Sequence, residues 1–161
     1  MKITEALYAE HLVFHHIFDH IERAAPALKT LPEIKAIAAL LESVLKSHSD
    51  TEDELFLGPL EHCFEQLGQR DGFLREHQEM DESLHLVQKA RQVGHARHLL
   101  LLAIANSRQH FHKEERIVFP LGEQVLNDKT LTDLSRSWKA QHLATQELKQ
   151  ARPAARRATA H

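Results

Sequence analysis

The sequence predicts an all-α protein, a four-helix bundle followed by one additional C-terminal helix. Five Gly and five Pro among 161 residues are too few for an all-β protein with many turns. Leu, Ala, Glu, Lys and Gln, which favour helix, are abundant. Apolar residues also recur at spacings of three and four in five successive segments, which is typical of helices that bury one face.

Composition excludes several classes of function. The formal net charge of -3 gives no electrostatic footprint for nucleic acid. Cys63 is the only cysteine, which excludes an internal disulfide framework and favours a reducing compartment. Residues 1–5 include no apolar signal segment, and no apolar run reaches the roughly 18 residues that a membrane span needs. We therefore expect a cytoplasmic protein with neither a membrane nor a nucleic-acid partner.

The chain carries 14 histidines, and the first two predicted helices each place one of them on an apolar stripe. The first helix, at residues 4–25, has the stripe Leu7, His11, Phe14, Phe18 and Ile21. The second begins near Pro32, since proline suits the first helical turn. Its stripe is Ile34, Ile37, Leu41, Val44, His48, Glu52 and Leu55. Each histidine thus occupies a position that aliphatic or aromatic residues fill elsewhere in the stripe.

The third and fourth predicted helices repeat this arrangement. The third, at residues 72–93, has the stripe Phe73, His77, Met80, Leu84 and Val87. The fourth, at residues 95–119, has the stripe Leu100, Ala103, Ser107, His110, Glu114, Ile117 and Leu121. The breaks that we expect are interruptions at Gly58-Pro59 and Pro120, a short helical continuation at 60–67, a loop at 68–72 and a turn at Gly94.

The residues after 126 are expected to form an appended helix and a tail. Thr130-x-x-Asp133 resembles a helix N-terminus, loosely a capping box with Asp in place of Glu. Trp138 lies on the apolar side of this helix, where it would pack. The chain thus divides into a bundle at 1–126, an appended helix at 127–150 and a disordered basic tail at 151–161. The appended helix could cover the bundle or form a homodimer contact.

Two copies of His-x-x-x-Glu, each preceded by a histidine on the previous helix, form an internal repeat. Two positions four apart on a helix differ by about 40° in direction, so the imidazole and the carboxylate leave the same face. Packed as a four-helix bundle, the two hairpins bring six polar side chains to one level. These are His11, His48, Glu52, His77, His110 and Glu114.

Six polar side chains inside a bundle are costly to bury without partners, several kcal/mol for each charged one. Bound cations would be coordinated by the lone pairs of these side chains and so remove that cost. A structural zinc takes about four ligands, often cysteines, whereas this set is larger and has no thiolate. Imidazole combined with carboxylate suits iron, so we predict two non-haem irons bridged by the two carboxylates. One iron would be held chiefly by His11 and His48. The other would be held by His77 and His110.

Three further residues could bind metal or orient a ligand. His15 and Asp81 each lie four residues after a predicted histidine ligand. Glu115 is an alternative to Glu114, although straight-helix geometry turns Glu115 about 140° away from His110.

The surroundings of these motifs are expected to be apolar on the inside and solvated on the outside. Residues expected around the ligands are Phe14, Phe18, Leu55, Met80 and Ile117. Polar residues expected on the surface are His16, His20, His62, His112, His142, Asp53, Glu54 and the pair Glu115-Arg116. Cys63 is interpreted as a small core residue rather than a redox centre.

These motifs resemble those of the hemerythrin-like (HHE cation-binding) family over roughly residues 4–126. The matching pieces are Ala9-Glu10-His11, His48-x-x-x-Glu52, Glu76-His77 and His110-x-x-x-Glu114 followed by Val118-Phe119-Pro120. The resemblance implies an up-down-up-down bundle that holds a non-haem di-iron centre. It also implies histidine ligands, bridging carboxylates and an open position for O2 or a related small molecule.

The sequence departs from the oxygen-carrying members of that family at two places. Those members have a further histidine four residues before the position of His77, where this chain has Phe73. Their last carboxylate lies five residues after its histidine, which would select Glu115, whereas other HHE-type members use the four-residue spacing of Glu114. Loss of a histidine argues against simple reversible O2 carriage and leaves a coordination place for another ligand.

Three functions are consistent with such a centre. The first is a protein that binds or senses O2, or that handles iron and reactive oxygen or nitrogen species. The second is a peroxidase or oxidase, with His15 or Asp81 as a proton donor. The third is a sensor or adaptor in which metal loading alters the fifth helix. A ferritin-like oxidase needs Glu-x-x-His on two helices, and only Glu82-x-x-His85 occurs here.

Overall fold

The computed structural model describes residues 1–60, 62 and 70–157. Its α-helices are α1 (Ile3–Ala24), α2 (Leu31–Glu52), α3 (Arg70–Lys89), α4 (Val93–Lys113), α5 (Phe119–Val125) and α6 (Asp128–Arg157). Two π-helical segments, Asp53–Leu57 and Glu114–Val118, directly follow α2 and α4. No strand occurs within these residues, so the prediction of an all-α fold is confirmed.

The four long helices α1 to α4 form the bundle, and its main core lies between them. Fully buried members of this core are Phe18, Ile34, Leu41, Leu84, Leu100 and Phe111. Helix α3 packs against both α2 and α4. The chain continues from α4 through the second π-helical segment into α5 without a break, so these three elements form one continuous helical segment.

A second, smaller core gathers parts of α1, both π-helical segments, α5 and α6. Its buried members are Ile3, Leu7, Phe56, Leu57, Leu60, Val118, Phe119 and Leu131, and Trp138 of α6 packs against them. On α1, His11 lies between Leu7 of this second core and Phe14 of the main core. The level of the predicted metal ligands is therefore bounded on both sides by apolar side chains.

Local capping explains where two of the helices begin. The side chains and backbone of Thr30 and Glu33 form a reciprocal capping box at the start of α2, one residue before the predicted position at Pro32. At α6 the side chain of Asn127 accepts a hydrogen bond from the Thr130 amide at 2.9 Å. Thr130 is thus inside the helix, and the capping box predicted from Thr130 and Asp133 is wrong.

The turns on either side of α3 differ from the predicted ones. Helix α3 begins at Arg70, inside the predicted loop at 68–72, and ends at Lys89 rather than at 93. Gly94 was predicted to mark the next turn, but it lies in the first turn of α4. Cys63 and most of the predicted continuation at 60–67 lie outside the described residues.

Helix α6 extends to Arg157, beyond position 150 where the sequence predicts that a tail begins. The division of the chain into bundle, appended helix and tail remains a prediction. None of the helices in the described part of the chain combines the length and the apolar character needed to cross a membrane.

The two π-helical segments change which residues face inward. A straight α-helix predicts Leu55 and Ile117 beside the ligands, but Leu55 is only half-buried and Ile117 is 48% exposed. Phe56 and Val118, one position later, are fully buried instead. A π turn accommodates one extra residue, so the inward face moves on by one position. The other three residues predicted around the ligands are buried as expected: Phe14, Phe18 and Met80.

Gly122 of α5 provides a test of this packing. A Cβ at Gly122 would lie 2.5 Å from Cζ and 2.7 Å from Cε2 of Phe56. Because the Phe56 ring is fully buried, it has little room to move aside. We expect Gly122→Ala to lower the free energy of unfolding by about 1–3 kcal/mol, the usual cost of overpacking, as measured by denaturant unfolding.

The matched control is Gly94→Ala in the first turn of α4. No atom lies within 4 Å of a Cβ built at Gly94, so we expect no loss of stability and a gain of up to about 1 kcal/mol from helix propensity. Equal effects of the two substitutions would contradict the close approach of Gly122 to Phe56.

Candidate metal centre

The six side chains predicted to bind metal lie together inside the bundle, and none is more than 6% exposed. They are His11 on α1, His48 and Glu52 on α2, His77 on α3, His110 on α4 and Glu114 at the start of the second π-helical segment. The most compact set is Glu52, His77, His110 and Glu114, whose ligand atoms all lie within 4.8 Å of one another. This set could hold a metal ion.

The two carboxylate oxygens of Glu114 face different histidines. Oε1 lies 2.7 Å from Nε2 of His110 and 3.6 Å from Nε2 of His77. Oε2 lies 3.5 Å from Nε2 of His11. One carboxylate thus reaches both the histidine pair of α3 and α4 and a histidine of α1.

Glu52 also lies between the two halves of the bundle. Its Oε2 is 3.9 Å from Nε2 of His48 on the same helix and 3.7 Å from Nε2 of His77 on α3. Nε2 of His48 is in turn 3.1 Å from Nε2 of His11. Both carboxylates therefore lie between histidines that belong to different helices of the bundle.

The pKa values of the two glutamates move in opposite directions. Burial and, after it, the negative charge of Glu114 raise the pKa of Glu52 well above its usual range. Burial also raises the pKa of Glu114, but the close contacts of its carboxylate with His110 and then with His77 outweigh burial and lower this pKa well below its usual range. Two carboxylates so close together in a dry interior share a proton unless a cation lies between them.

Two of the imidazoles also have shifted pKa values. Burial and then the charge of His48 lower the pKa of His11 to about 3. Burial likewise lowers the pKa of His77, but the hydrogen bond to Asp53 and the contact with Glu114 outweigh burial and raise this pKa to about 9. Without a metal, the His11 ring is therefore neutral at pH 7, while the His77 ring is protonated on both nitrogens and positively charged.

The donor set fits a bound cation. Within the described residues, the two carboxylate oxygens of Glu52 make no hydrogen bond, and Nε2 of His77 makes none either. The Nε2 atoms of His11 and His48 also face each other at 3.1 Å, so a cation held by both rings would accept a lone pair from each. Each buried polar atom without a partner costs about 1–3 kcal/mol. A cation coordinated by these atoms would remove that cost.

Each of the four imidazoles is hydrogen-bonded through Nδ1, the ring nitrogen that faces away from the centre, to a carboxylate on another element. The Nδ1-to-oxygen distances are 3.1 Å for His11 and Glu115, 2.8 Å for His48 and Glu10, 3.0 Å for His77 and Asp53, and 2.8 Å for His110 and Glu76. Because an ionised carboxylate only accepts hydrogen bonds, Nδ1 donates and Nε2 is the nitrogen that faces the centre, where it can bind a metal once it carries no proton. This is the ring orientation that a histidine ligand needs.

These four carboxylates follow a cyclic order around the bundle. One on α1 holds the histidine of α2, one after α2 holds that of α3, one on α3 holds that of α4, and one after α4 holds that of α1. Each is adjacent in sequence to a predicted ligand, in the pairs Glu10-His11, Glu52-Asp53, Glu76-His77 and Glu114-Glu115. A neighbour in a helix is turned by about 100°, so it points toward the next helix while the ligand points inward.

One of these residues corrects the sequence interpretation. Asp53 was expected on a solvated face, but it is half-buried and bonds to His77. For Glu115 the sequence left three roles open, a bridge, an orienting partner or a residue on a solvated face, and the structure places it mostly buried against the outer nitrogen of His11. Glu114 faces the centre instead. Adjacency to a ligand was the signal that could have identified these orienting carboxylates from the sequence.

The other two candidates lie further out. His15 accepts a hydrogen bond from Nη1 of Arg108 at 3.1 Å, and its Nε2 is 3.8 Å from Glu115. Asp81 lies at the surface, 3.9 Å from Nζ of Lys46. The side chain of Phe73, which stands where oxygen carriers have a histidine, is outside the described part of the structure.

Most of the histidines that were predicted to be exposed are exposed: His16, His20, His62 and His112. His142 of α6 is the exception. It is half-buried and its Nε2 lies 3.0 Å from Oε1 of Glu10.

Phe111 forms an aromatic wall that the sequence analysis did not identify. Its fully buried ring stacks on His11 with centroids 4.0 Å apart and planes 13° apart. Phe119 stacks on the same imidazole at 5.4 Å, and Phe14 lies 5.6 Å from Phe111. These rings keep water away from one side of the polar cluster, which strengthens electrostatic interactions within it.

A helical bundle with buried imidazoles and carboxylates that could hold a metal ion is the class of protein that the fold and the site define. The family model of the hemerythrin HHE cation-binding domain matches residues 2–122. The chain therefore belongs to the hemerythrin HHE family. Comparison with curated proteins found no match, and comparison with solved structures found none either.

We expect metal binding to release protons. At pH 7.5 a metal ion must displace the proton of His77, whose pKa is about 9, together with any proton that the raised pKa of Glu52 leaves on that carboxylate. Calorimetry in buffers of different ionisation enthalpy should therefore show about one or two protons released for each chain loaded. The release should decrease as the pH rises through about 9, because His77 is then already neutral. Release that does not change with pH would contradict this protonation state.

A second pair of variants distinguishes Glu114 from Glu115. Glu114→Gln removes a charge that faces three histidines, so we expect metal affinity to fall by more than about 100-fold. Glu115→Gln keeps an oxygen that can accept from His11, so the fall should be no more than about tenfold, the low end for an orienting partner. Affinities measured by chelator competition test this. The reverse order would make Glu115 the ligand.

Proposed function

We propose that this protein is a non-haem di-iron protein that binds or senses O2, or takes part in handling iron and reactive oxygen or nitrogen species. The observation that carries the proposal is the placement of two fully buried carboxylates, Glu52 and Glu114, between the histidine pairs. One iron would be held chiefly by His11 and His48. The second would be held by His77 and His110, with both carboxylates spanning the two ions.

The donor set favours two irons over a single structural zinc. A structural zinc takes about four ligands, often including cysteines. Six buried donors are available here, and all are nitrogen or carboxylate oxygen. Imidazole with carboxylate suits iron, and two ions use six donors while leaving coordination positions for a small ligand.

The protein's own side chains would prepare such a centre in two ways. The carboxylates of Glu10, Asp53, Glu76 and Glu115 keep the four imidazoles in the orientation in which Nε2 points inward. Phe111 and Phe119 exclude water beside His11. The irons, when bound, would supply one-electron and O2 chemistry that no side chain offers.

A polar pocket supports a second candidate function, that of a peroxidase or oxidase. The pocket has a volume of about 450 Å³ between α3 and α4 and reaches the edge of His110. Its lining includes Glu76, Gln109 and Lys113, and the ammonium group of Lys113 donates a hydrogen bond to Glu76. Such a lining could admit a small polar oxidant such as a peroxide, with the ammonium group of Lys113 as a hydrogen-bond donor beside it.

The test of the proposal is metal content together with the visible spectrum. We expect protein produced with iron to contain about two irons per chain and to show absorption bands that bleach with dithionite and return in air. His110→Ala should lose most of this iron, because a buried donor of the centre is missing. Metal analysis of purified protein measures the loss.

The matched control is His112→Ala, two residues further along α4, where the histidine is exposed. This variant should keep the wild-type iron content. One zinc per chain, or no metal after anaerobic loading, would overturn the di-iron proposal. A spectral change reversed by removing O2 would favour a binder or sensor, whereas rapid peroxide consumption with turnover would favour the enzyme.

The homodimer through the C-terminal helix, expected from the sequence, stays a prediction.

A further inference from the structure

Helix α6 reaches the metal centre through Glu10, the carboxylate that holds His48. Oε2 of Glu10 lies 2.8 Å from Nδ1 of His48 and accepts a second hydrogen bond from Nε1 of Trp138 at 3.4 Å. Oε1 of Glu10 lies 3.0 Å from Nε2 of His142. One carboxylate thus joins the ligand of α2 to two side chains of α6.

The hydrogen-bonding pattern of His142 shows that it acts as a donor toward Glu10. Nδ1 of His142 lies 2.9 Å from the backbone carbonyl of Trp138, which can only accept. A carboxylate oxygen accepts hydrogen bonds, so Nε2 of His142 donates to Oε1 of Glu10, from which it lies 3.0 Å away.

The packing of α6 keeps these two donors in place. Leu131 is fully buried in the second core, and Trp138 packs against the same core. The rings of Trp138 and His142 lie one helical turn apart with centroids separated by 4.5 Å. Helix α6 begins at Asp128, beyond residues 2–122 that the family model matches. The contact is therefore an addition to the family's domain in this chain.

Glu10 differs in this respect from the other three orienting carboxylates. Within the described residues, Glu10 is the orienting carboxylate that is hydrogen-bonded to α6. Glu76 instead accepts a hydrogen bond from Lys113 of α4, and Glu115 lies beside His15 of α1. The cyclic order gives each imidazole the same kind of partner, but within the described part of α6 the donors go to Glu10 alone. The addition acts on the side of the centre formed by His11 and His48.

We propose that Trp138 and His142 are positioning residues of the metal centre, through which helix α6 controls how tightly the His11–His48 side holds its ion. The inference rests on the proposed function, since it requires that the centre binds metal. Glu10 is partly exposed, so without its two donors from α6 its carboxylate is free to turn toward solvent. His48 would then lose the partner that fixes its ring and raises its basicity.

The experiment compares His142→Leu and Trp138→Phe in the full-length protein. Trp138→Phe keeps an aromatic ring in the second core but removes the Nε1 donor. We expect each variant to weaken one of the two iron(II) affinities, that of the His11–His48 side, by about tenfold, the low end of the range for orienting partners. Anaerobic competition with a chelator measures both affinities, and the other ion should be held as in the wild type.

The matched control is Lys139→Leu, an exposed position on the same helix. It should leave both affinities unchanged. In a Glu10→Ala background, His142→Leu should have no further effect, because the coupling passes through Glu10. A merely structural role of α6 would instead give additive losses.

The imidazole nitrogen resonance of His48, measured by NMR in metal-free protein, separates this role from a general loosening of α6. It should shift in His142→Leu and Trp138→Phe and stay in place in Lys139→Leu. Variants that match the wild type in iron affinity and in this resonance would overturn this inference and leave the proposed function in place. Wild-type protein that binds no metal would overturn the proposed function and this inference with it.

Discussion

The structure depends on the burial of two carboxylates among four imidazoles. Glu52 and Glu114 are fully enclosed, and taking ionised carboxylates out of water costs several kcal/mol each unless they are paired. The surrounding nitrogens offset this only in part, since burial and the charge of Glu114 raise the pKa of Glu52 well above its usual range. A bundle built in this way is stabilised by what it binds, because metal binding and the folding of these helices are thermodynamically linked.

The cyclic arrangement of the orienting carboxylates connects the centre to the bundle as a whole. Every imidazole that faces inward is hydrogen-bonded to a carboxylate of a neighbouring element. The same contacts therefore hold the helices together and orient the ligands. The internal repeat supplies the pattern, because a ligand and its adjacent carboxylate point to the centre and to the next helix respectively. Rigid support of this kind is what a metal centre requires for defined geometry.

Helix α6 breaks the symmetry that the repeat establishes. Among its described side chains, Trp138 and His142 donate to Glu10 and so act on one side of the centre. Lys113 acts on the other side, where it bonds to Glu76 beside a polar pocket. The two halves of the cluster thus have similar inner donors and different outer surroundings, and differences in affinity or redox behaviour between two bound ions would originate there.

The sequence by itself determined the helical class and the six side chains that the structure brings together, because four-residue spacing puts a histidine and a glutamate on one helical face. Tertiary structure alone decided that Val118 rather than Ile117 is buried. Periodicity cannot indicate a π turn, since that turn depends on how the backbone hydrogen bonds shift when neighbouring helices pack. The roles of Asp53 and His142 also required the fold. Their partners lie on other helices, and a single helical pattern describes only its own face.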